Sequence, residues 1–223
     1  MLGLLLPQRC LVCGVSGAQL CTGCRDAFPR LGPPFCDRCG APTAWPVARC
    51  RECSGRRLGF AQARAAVAYD EPVRRLVAGW KERGLRRLAD DAAALVAGRV
   101  ARPDAALVTF VPADGRRLGA RGHHPAERLA RALAERWDLR CEAVLSRTGG
   151  SRRQRGLTLA ERRRNVAGAF AATRPVSDPV LLVDDVYTSG ATVSSAASAL
   201  RAAGASRVDV VTFARTIRLS RAT

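Results

Sequence analysis

Eight of the nine cysteines lie in four C-x-x-C pairs before residue 54. This spacing lets two thiolates of one tight turn face a single metal ion, and two such pairs complete a tetrahedral Cys₄ site. The sequence therefore predicts two structural zinc ions, bound by pairs that are either consecutive or interleaved along the chain. The predicted ligands are Cys10 and Cys13, Cys21 and Cys24, Cys36 and Cys39, and Cys50 and Cys53.

Other uses of these cysteines explain the fourfold repetition less well. A disulfide framework needs an oxidising compartment, and we expect none because the sequence carries no export signal. A redox C-x-x-C normally occurs once in a βαβ setting, whereas here the pairs recur in a segment rich in Gly and Pro. The ninth cysteine, Cys141, lies in an apolar stretch and is interpreted as a small core residue.

A second group of candidate binding residues follows the apolar run at 180–183. Asp184 and Asp185 come at the end of this run, where open α/β sheets bind their ligands. A turn of small residues then leads into an amphipathic helix, whose first N–H groups and positive dipole end favour a phosphate. The pattern predicts a sugar-phosphate site, with hydroxyls on the acids; the alternative is that the acids only cap a turn. The phosphate-binding residues would be Thr188, Ser189, Gly190, Ala191 and Thr192.

This run resembles the ribose-phosphate-binding motif of type I phosphoribosyltransferases: four apolar residues, two acids, and then a Thr/Gly-rich loop. With the cysteine pairs and the segments around Lys81, Val111-Pro112 and 154–170, nearly the whole chain resembles the ComF-type, competence-associated branch of these proteins. The resemblance implies an α/β fold of the type I phosphoribosyltransferase-like class, with a mostly parallel sheet flanked by helices. A small Cys-rich zinc-ribbon domain would precede it.

The same resemblance implies a role for each part of the site. Asp184 and Asp185 would form the catalytic centre and contact the 2′ and 3′ hydroxyls of phosphoribosyl pyrophosphate, while the loop at 188–192 would bind its 5′-phosphate. Mg²⁺ would accompany the pyrophosphate. A mobile loop that carries Arg152 and Gln154 would close over the reacting centre. The pyrophosphate-binding residues would be Arg116, Arg117, Arg121 and Gly122.

One segment departs from the family pattern. Where Phe-Asn-Gln usually follows Arg-Gly, this chain has His123, His124 and Pro125. The alternatives are that these histidines are metal ligands or acid/base groups. Since the cysteines already complete the predicted zinc sites, and adjacent side chains point in different directions, we interpret both histidines as residues of a loop surface.

Two functions from different classes are consistent with these features. The first is a Mg²⁺-dependent phosphoribosyltransferase, an enzyme of pentosyl group transfer whose acceptor the sequence does not identify. The second is non-catalytic binding of a sugar phosphate or of single-stranded DNA, in DNA uptake with the proteins of the uptake machinery. The formal net charge of +18 permits a nucleic-acid partner, but aromatic residues make up only 5% of the chain, so stacking platforms are few. An Arg- and Ala-rich composition explains the charge equally well.

The elements that must position these residues follow from hydrophobic periodicity. We predict a zinc-ribbon domain at 1–57 and a phosphoribosyltransferase-like domain at 58–223. Alternating strand and helix patterns in the second part predict a largely parallel sheet covered on both faces. Strands are predicted over 64–69, 107–111, 141–145, 180–183 and 207–214, a strand or hairpin edge at 168–170, and helices over 71–81, 85–100, 125–137, 159–165 and 191–203.

Composition places further limits on the protein. A length of 223 residues with 48% hydrophobic residues allows one ordinary domain plus a small accessory one, and excludes a wholly disordered chain. No apolar run approaches the roughly 20 residues of a membrane helix. The opening apolar segment lacks a basic leader and soon reaches Cys10. We therefore expect a cytoplasmic protein without a membrane span.

Overall fold

The computed structural model describes residues 8–82, 84–85, 87–113, 123–148 and 168–217. The strands of this part of the chain are β1 (Gln62–Ala68), β2 (Leu107–Phe110), β3 (Arg140–Cys141), β4 (Leu145–Arg147), β5 (Phe170–Ala172), β6 (Val180–Tyr187) and β7 (Val208–Arg215). Five of them form a parallel sheet in the order β1-β7-β6-β2-β3. Strands β4 and β5 form a separate antiparallel pair. The predicted α/β class with a mostly parallel sheet is confirmed.

The helices of the described residues are α1 (Thr22–Asp26), α2 (Glu71–Glu82), α3 (Leu88–Ala97), α4 (Pro125–Trp137) and α5 (Ala191–Ala202). Helix α1 lies in the cysteine-rich segment, the others flank the sheet, and local signals mark where some of them begin. Helix α2 begins after Asp70, whose carboxylate accepts a hydrogen bond from the N–H of Val73 at 3.0 Å. Helix α4 begins with Pro125, which has no N–H to satisfy at a helix start.

Two apolar clusters lie on the opposite faces of the sheet. Helices α2, α3 and α4 cover one face, where Leu181 and Val183 of β6 are buried. Helix α5 covers the other face, where the alternate residues Val180 and Leu182 are buried. This alternation follows from the period of two in a strand. All eight residues of β7 are buried, as expected for a central strand of a parallel sheet covered on both sides.

The cysteine-rich segment contributes to both clusters. We call residues 10–24 the first ribbon and residues 36–53 the second ribbon. Leu20 of the first ribbon is buried in the cluster under α2 and α3, whereas Cys36 and Cys39 of the second ribbon are buried in the cluster under α5. The two ribbons therefore brace opposite faces of one sheet.

The predicted elements differ from the structure mainly at their ends. Helix α4 has the predicted bounds, whereas β6 continues to Tyr187, beyond the predicted end at residue 183. The predicted strand at 141–145 is wrong, because the chain leaves the five-stranded sheet after Cys141 and enters the antiparallel pair of β4 and β5 at Leu145. The predicted helix at 159–165 lies outside the described residues. Among the helices that the structure describes, none is long and apolar enough to cross a membrane.

Candidate functional site

The eight paired cysteines form two clusters of four. Within each cluster one ligand atom from every cysteine lies within 4.8 Å of all the others. The Sγ atoms of Cys13 and Cys21 are 3.7 Å apart, and those of Cys36 and Cys53 are 3.5 Å apart. A tetrahedral site with Zn–S bonds of about 2.3 Å places its sulfur atoms about 3.8 Å apart, so both clusters fit zinc. The clusters are Cys10, Cys13, Cys21 and Cys24, and Cys36, Cys39, Cys50 and Cys53.

This grouping answers the question of pairing that the spacing leaves open. Each site takes two pairs that are consecutive along the chain, so each ribbon holds its own metal. The backbone also favours a thiolate at Cys36. Burial alone would raise the pKa of this thiol, but N–H donors of the knuckle backbone outweigh it and lower the pKa to about 7. One of these donors is the N–H of Cys50, which lies 3.3 Å from the Cys36 Sγ.

Asp184 and Asp185 lie near the carboxyl end of β6, which is the middle strand of the five-stranded sheet. The Asp185 Oδ1 accepts a hydrogen bond at 2.6 Å from Lys81 Nζ, and the Asp185 side chain is only 13% exposed. Lys81 stands in the last turn of α2 and is the single lysine of the sequence. The site therefore contains a partly buried ion pair at the sheet edge where parallel α/β folds bind ligands.

The second carboxylate has a different environment. The Oδ1 of Asp184 accepts a hydrogen bond at 2.9 Å from the N–H of Asp185. Burial, and then the neighbouring Asp185 carboxylate, raise the pKa of Asp184 to about 7, although Lys81 opposes this shift. The two adjacent acids thus differ in chemistry: one is paired with a cation, and the other exchanges its proton near neutral pH.

The loop at 188–192 begins directly after β6 and leads into α5. Gly190 is the N-cap of α5 with φ 71°, a left-handed conformation that favours glycine. The N–H of Ala191 donates to the Ser189 Oγ at 3.3 Å, and α5 has no acidic residue in its first turn. A Cβ at position 190 would collide with the hydroxyl of Tyr187, so the loop lies directly on that side chain. The arrangement can accept an anion at the start of α5.

Several predicted site residues lie outside the described part of the chain. Strand β2 precedes the predicted pyrophosphate loop along the chain, and β4 and β5 come before and after the predicted mobile loop. Their roles stay predictions. The residues are Arg116, Arg117, Arg121, Gly122, Arg152 and Gln154.

The interpretation of the two histidines as loop surface is wrong. His123 is 6% exposed, and its Nε2 lies 2.7 Å from the carbonyl oxygen of Trp80. His124 is the N-cap of α4: its Nδ1 accepts a hydrogen bond from the N–H of Glu127 at 3.1 Å. Burial lowers the pKa of His124. Pro125 starts α4, and His123 and His124 directly before it pack at this helix start instead of lying in solvent.

Comparisons with known proteins match the cysteine-rich segment by itself and most of the chain as a whole. Residues 1–54, which include all eight paired cysteines, match the family model described as a double zinc ribbon domain. DNA utilization protein YhgH of Salmonella typhimurium is 29% identical over 96% of this chain and 100% of its own length. Competence protein F of Haemophilus influenzae is 27% identical over 93% of this chain and 96% of its own length.

A solved structure aligns with part of the chain. It is the glutamine phosphoribosylpyrophosphate amidotransferase from B. subtilis, complexed with ADP and GMP, with a TM-score of 0.38 and 25% sequence identity. The alignment covers 57% of this chain and 25% of that enzyme's chain.

Proposed function

We propose that this chain, a ComF-type protein with a double zinc ribbon at residues 1–54, binds phosphoribosyl pyrophosphate or a similar sugar phosphate and transfers its phosphoribosyl group. The observation that carries the proposal is the carboxylate pair of Asp184 and Asp185 near the carboxyl end of β6, with the Asp185 Oδ1 2.6 Å from Lys81 Nζ. The loop after β6 leads to the start of α5, which has no acidic residue in its first turn. The hydroxyls of a bound ribose phosphate would contact the carboxylates, and its 5′-phosphate would lie at this helix start.

The residues would act by binding and orientation. The carboxylates would accept hydrogen bonds from the ribose hydroxyls, and Lys81 would keep the Asp185 carboxylate in one orientation. The N–H groups of the loop at 188–192 would bind the 5′-phosphate. Such contacts fix the ring while the bond from C1′ to pyrophosphate breaks and its electron pair leaves with the pyrophosphate. A nitrogen of the acceptor would supply the new electron pair to C1′.

The proposal includes Mg²⁺ bound together with the substrate. Mg²⁺ is usually held by one or two carboxylates and by substrate phosphates, and Asp184 and Asp185 offer the oxygen ligands that it prefers. When bound, Mg²⁺ would stabilise the negative charge that develops on the leaving pyrophosphate. Arg116, Arg117 and Arg121 would add further positive charge in the pyrophosphate loop.

Calorimetric titration tests the binding step. Wild-type protein should bind phosphoribosyl pyrophosphate with Mg²⁺, and Asp185→Asn should weaken binding at least about tenfold, because a charge-assisted hydrogen bond contributes about 1.5–3 kcal/mol. The matched control is Asp178→Asn, an aspartate with a half-exposed side chain just before the start of β6. Absence of binding by the wild type would contradict the proposal. Release of pyrophosphate with a panel of nitrogen bases tests the transfer step.

A second candidate function is single-stranded DNA binding in DNA uptake. The names of the relatives, DNA utilization protein and competence protein, favour it. Trp45 of the second ribbon is 69% exposed, and the exposed Arg49 and Arg51 lie in the same ribbon. An exposed indole suits stacking on a base, and exposed guanidinium groups of the same ribbon suit contact with phosphates. Trp45→Ala should then weaken oligonucleotide binding, and an affinity independent of salt would exclude this function.

A further inference from the structure

The end of β7 is joined to the second ribbon by a buried arginine. Arg215 is the last residue of β7 and is 1% exposed. Its guanidinium donates to the carbonyl oxygen of the zinc ligand Cys39 and, at 2.7 Å, to the Glu52 carboxylate. Glu52 lies between the ligands Cys50 and Cys53. The position of this guanidinium therefore depends on both C-x-x-C turns of the second metal site.

The same guanidinium also contacts the strand that carries the two acids. Its Cζ lies 4.6 Å from the centre of the Tyr187 ring. Tyr187 ends β6, is 3% exposed, and lies directly under Gly190 of the loop at 188–192. A continuous series of contacts thus runs from the backbone of Cys39 through Arg215 and Tyr187 to the helix start that would bind phosphate.

A second connection reaches the loop from the residues just after the second ribbon. Arg56 Nη2 donates to the carbonyl oxygen of Ser189 at 2.8 Å, and its Nη1 donates to the carbonyl oxygen of Glu52 at 3.2 Å. The backbone N–H of Gly59 donates to the Ser194 Oγ in the first turn of α5 at 3.1 Å. Two arginines therefore link the backbone near the second zinc ligands to the loop, Arg56 directly and Arg215 through Tyr187.

We infer that the second ribbon is part of the sugar-phosphate site, with Arg215 and Arg56 as positioning residues that hold the loop at 188–192 in shape. The inference rests on the proposed function. A short Cys-rich segment depends on its metal for folding, so the carbonyl of Cys39 and the side chain of Glu52 keep their places only while the second site is loaded. Loss of that metal removes the support of the loop, and its N–H groups no longer converge on a phosphate.

The first ribbon provides the comparison, because its direct contacts are elsewhere. Leu11 packs against Gly79 of α2, where an added Cβ would collide with the leucine side chain. Leu20 is buried in the cluster under α2 and α3, on the opposite face from Tyr187. Emptying the first site should therefore loosen α2 without direct effect on the loop.

Hydrogen exchange on the full chain tests the coupling without any ligand. Cys50→Ser should reduce the zinc content from two ions to one and speed amide exchange in a peptide spanning the loop at 188–192. Arg56→Gln should speed the same exchange while both zinc ions remain bound. Cys13→Ser should act on peptides of α2 instead, and Arg51→Gln, an exposed arginine of the second ribbon, should leave exchange of the loop unchanged.

Calorimetry on the same variants connects the coupling to binding. Arg56→Gln should weaken binding of phosphoribosyl pyrophosphate by about tenfold, as expected when one charge-assisted hydrogen bond is lost. Wild-type exchange of the loop in both Cys50→Ser and Arg56→Gln would overturn the inference, and if Cys50→Ser fails to fold, Arg56→Gln alone decides. Absence of binding by the wild type would refute the proposed function while the exchange result still stands.

Discussion

Asp184 makes the stability of the protein depend on pH. Its folded-state pKa of about 7 lies above the ordinary value, because burial and Asp185 favour the protonated form. A raised carboxyl pKa means that the folded state binds more protons, so the contribution of Asp184 to stability is most favourable at acid pH and becomes less favourable between the unfolded and folded pKa values. Above about pH 7 the ionised Asp184 lowers the free energy of unfolding by its full amount. We attribute the presence of this destabilising residue to the use of its carboxylate in binding.

Asp184→Asn should therefore stabilise the protein at pH 8. The amide keeps an oxygen that accepts from the Asp185 N–H but carries no charge. The gain in Tm should shrink as the pH falls from 8 toward 4, at about 2–4 °C for each kcal/mol in a chain of this size. Scanning calorimetry across this range measures the gain, with Asp178→Asn, whose side chain is half-exposed, as the control. A gain that does not vary with pH would show that the charge of Asp184 is not the cause.

The pairing of Lys81 with Asp185 shows what the sequence lacks at the residue scale. The two residues are 104 positions apart, and no local pattern connects them. The motif at 184–192 is readable because its residues are contiguous, whereas the arginines that link the second ribbon to the loop act across 133 and 176 positions. In the sequence these arginines cannot be distinguished from those of solvent-exposed helix faces.

At the scale of elements, predictions succeed where the signals are local. Helix α4 has its predicted bounds because Pro125 marks its start and the apolar stripe Leu129, Leu133 and Trp137 marks its buried face. Strand β6 extends past its predicted end because backbone pairing with β7 continues from Val180 to Tyr187, regardless of the two acids. Pairing of the zinc knuckles likewise depends on how the segments fold back, which spacing alone does not determine.

The attachment of the second ribbon to β1 gives a prediction at the same scale. Gly40 follows the ligand Cys39 with φ 69°, and an added Cβ would collide with the backbone carbonyl of Ala63 in β1. Gly40→Ala should destabilise this attachment by at least about 1–3 kcal/mol from backbone strain alone. One of the two zinc ions should then pass to a chelator faster than in the wild type.

The control for this prediction separates strain from collision. Gly55 has nearly the same φ, 70°, but an added Cβ there meets no atom within 4 Å. Gly55→Ala should therefore show only the conformational cost. Equal rates of zinc release from the two variants would mean that the contact between Gly40 and Ala63 does not hold the second ribbon in place.

At the scale of the whole molecule, part of the positive charge has structural uses. The guanidinium groups of Arg38, Arg56 and Arg215 donate hydrogen bonds to backbone carbonyl oxygens, and these bonds join the second ribbon and the residues just after it to the rest of the chain. Arginine suits such sites because its planar fork carries several donors and stays charged when buried. The net charge of +18 is therefore not in itself a measure of nucleic-acid affinity.

From the edge of the sheet we predict that the two sides of the proposed boundary at residue 57 do not fold independently of each other. Strand β1 is an edge strand, and the segment before it covers its free side. The N–H of Leu31 donates to the carbonyl oxygen of Ala66 at 2.8 Å, and the N–H of Ala63 donates to that of Arg38 at 3.0 Å. An uncovered edge strand offers unpaired backbone groups to other chains.

A chain that consists of residues 58–223 should therefore aggregate. Its β1 edge would be exposed, and both apolar clusters would lose buried residues of the ribbons, among them Leu20 and Cys36. Light scattering and calorimetry should show larger particles and a lower Tm than for the whole chain, and adding a separately made 1–57 segment with zinc should partly reverse both changes. A monomeric 58–223 chain with the Tm of the whole protein would mean that the ribbons are appended to the sheet and do not complete it.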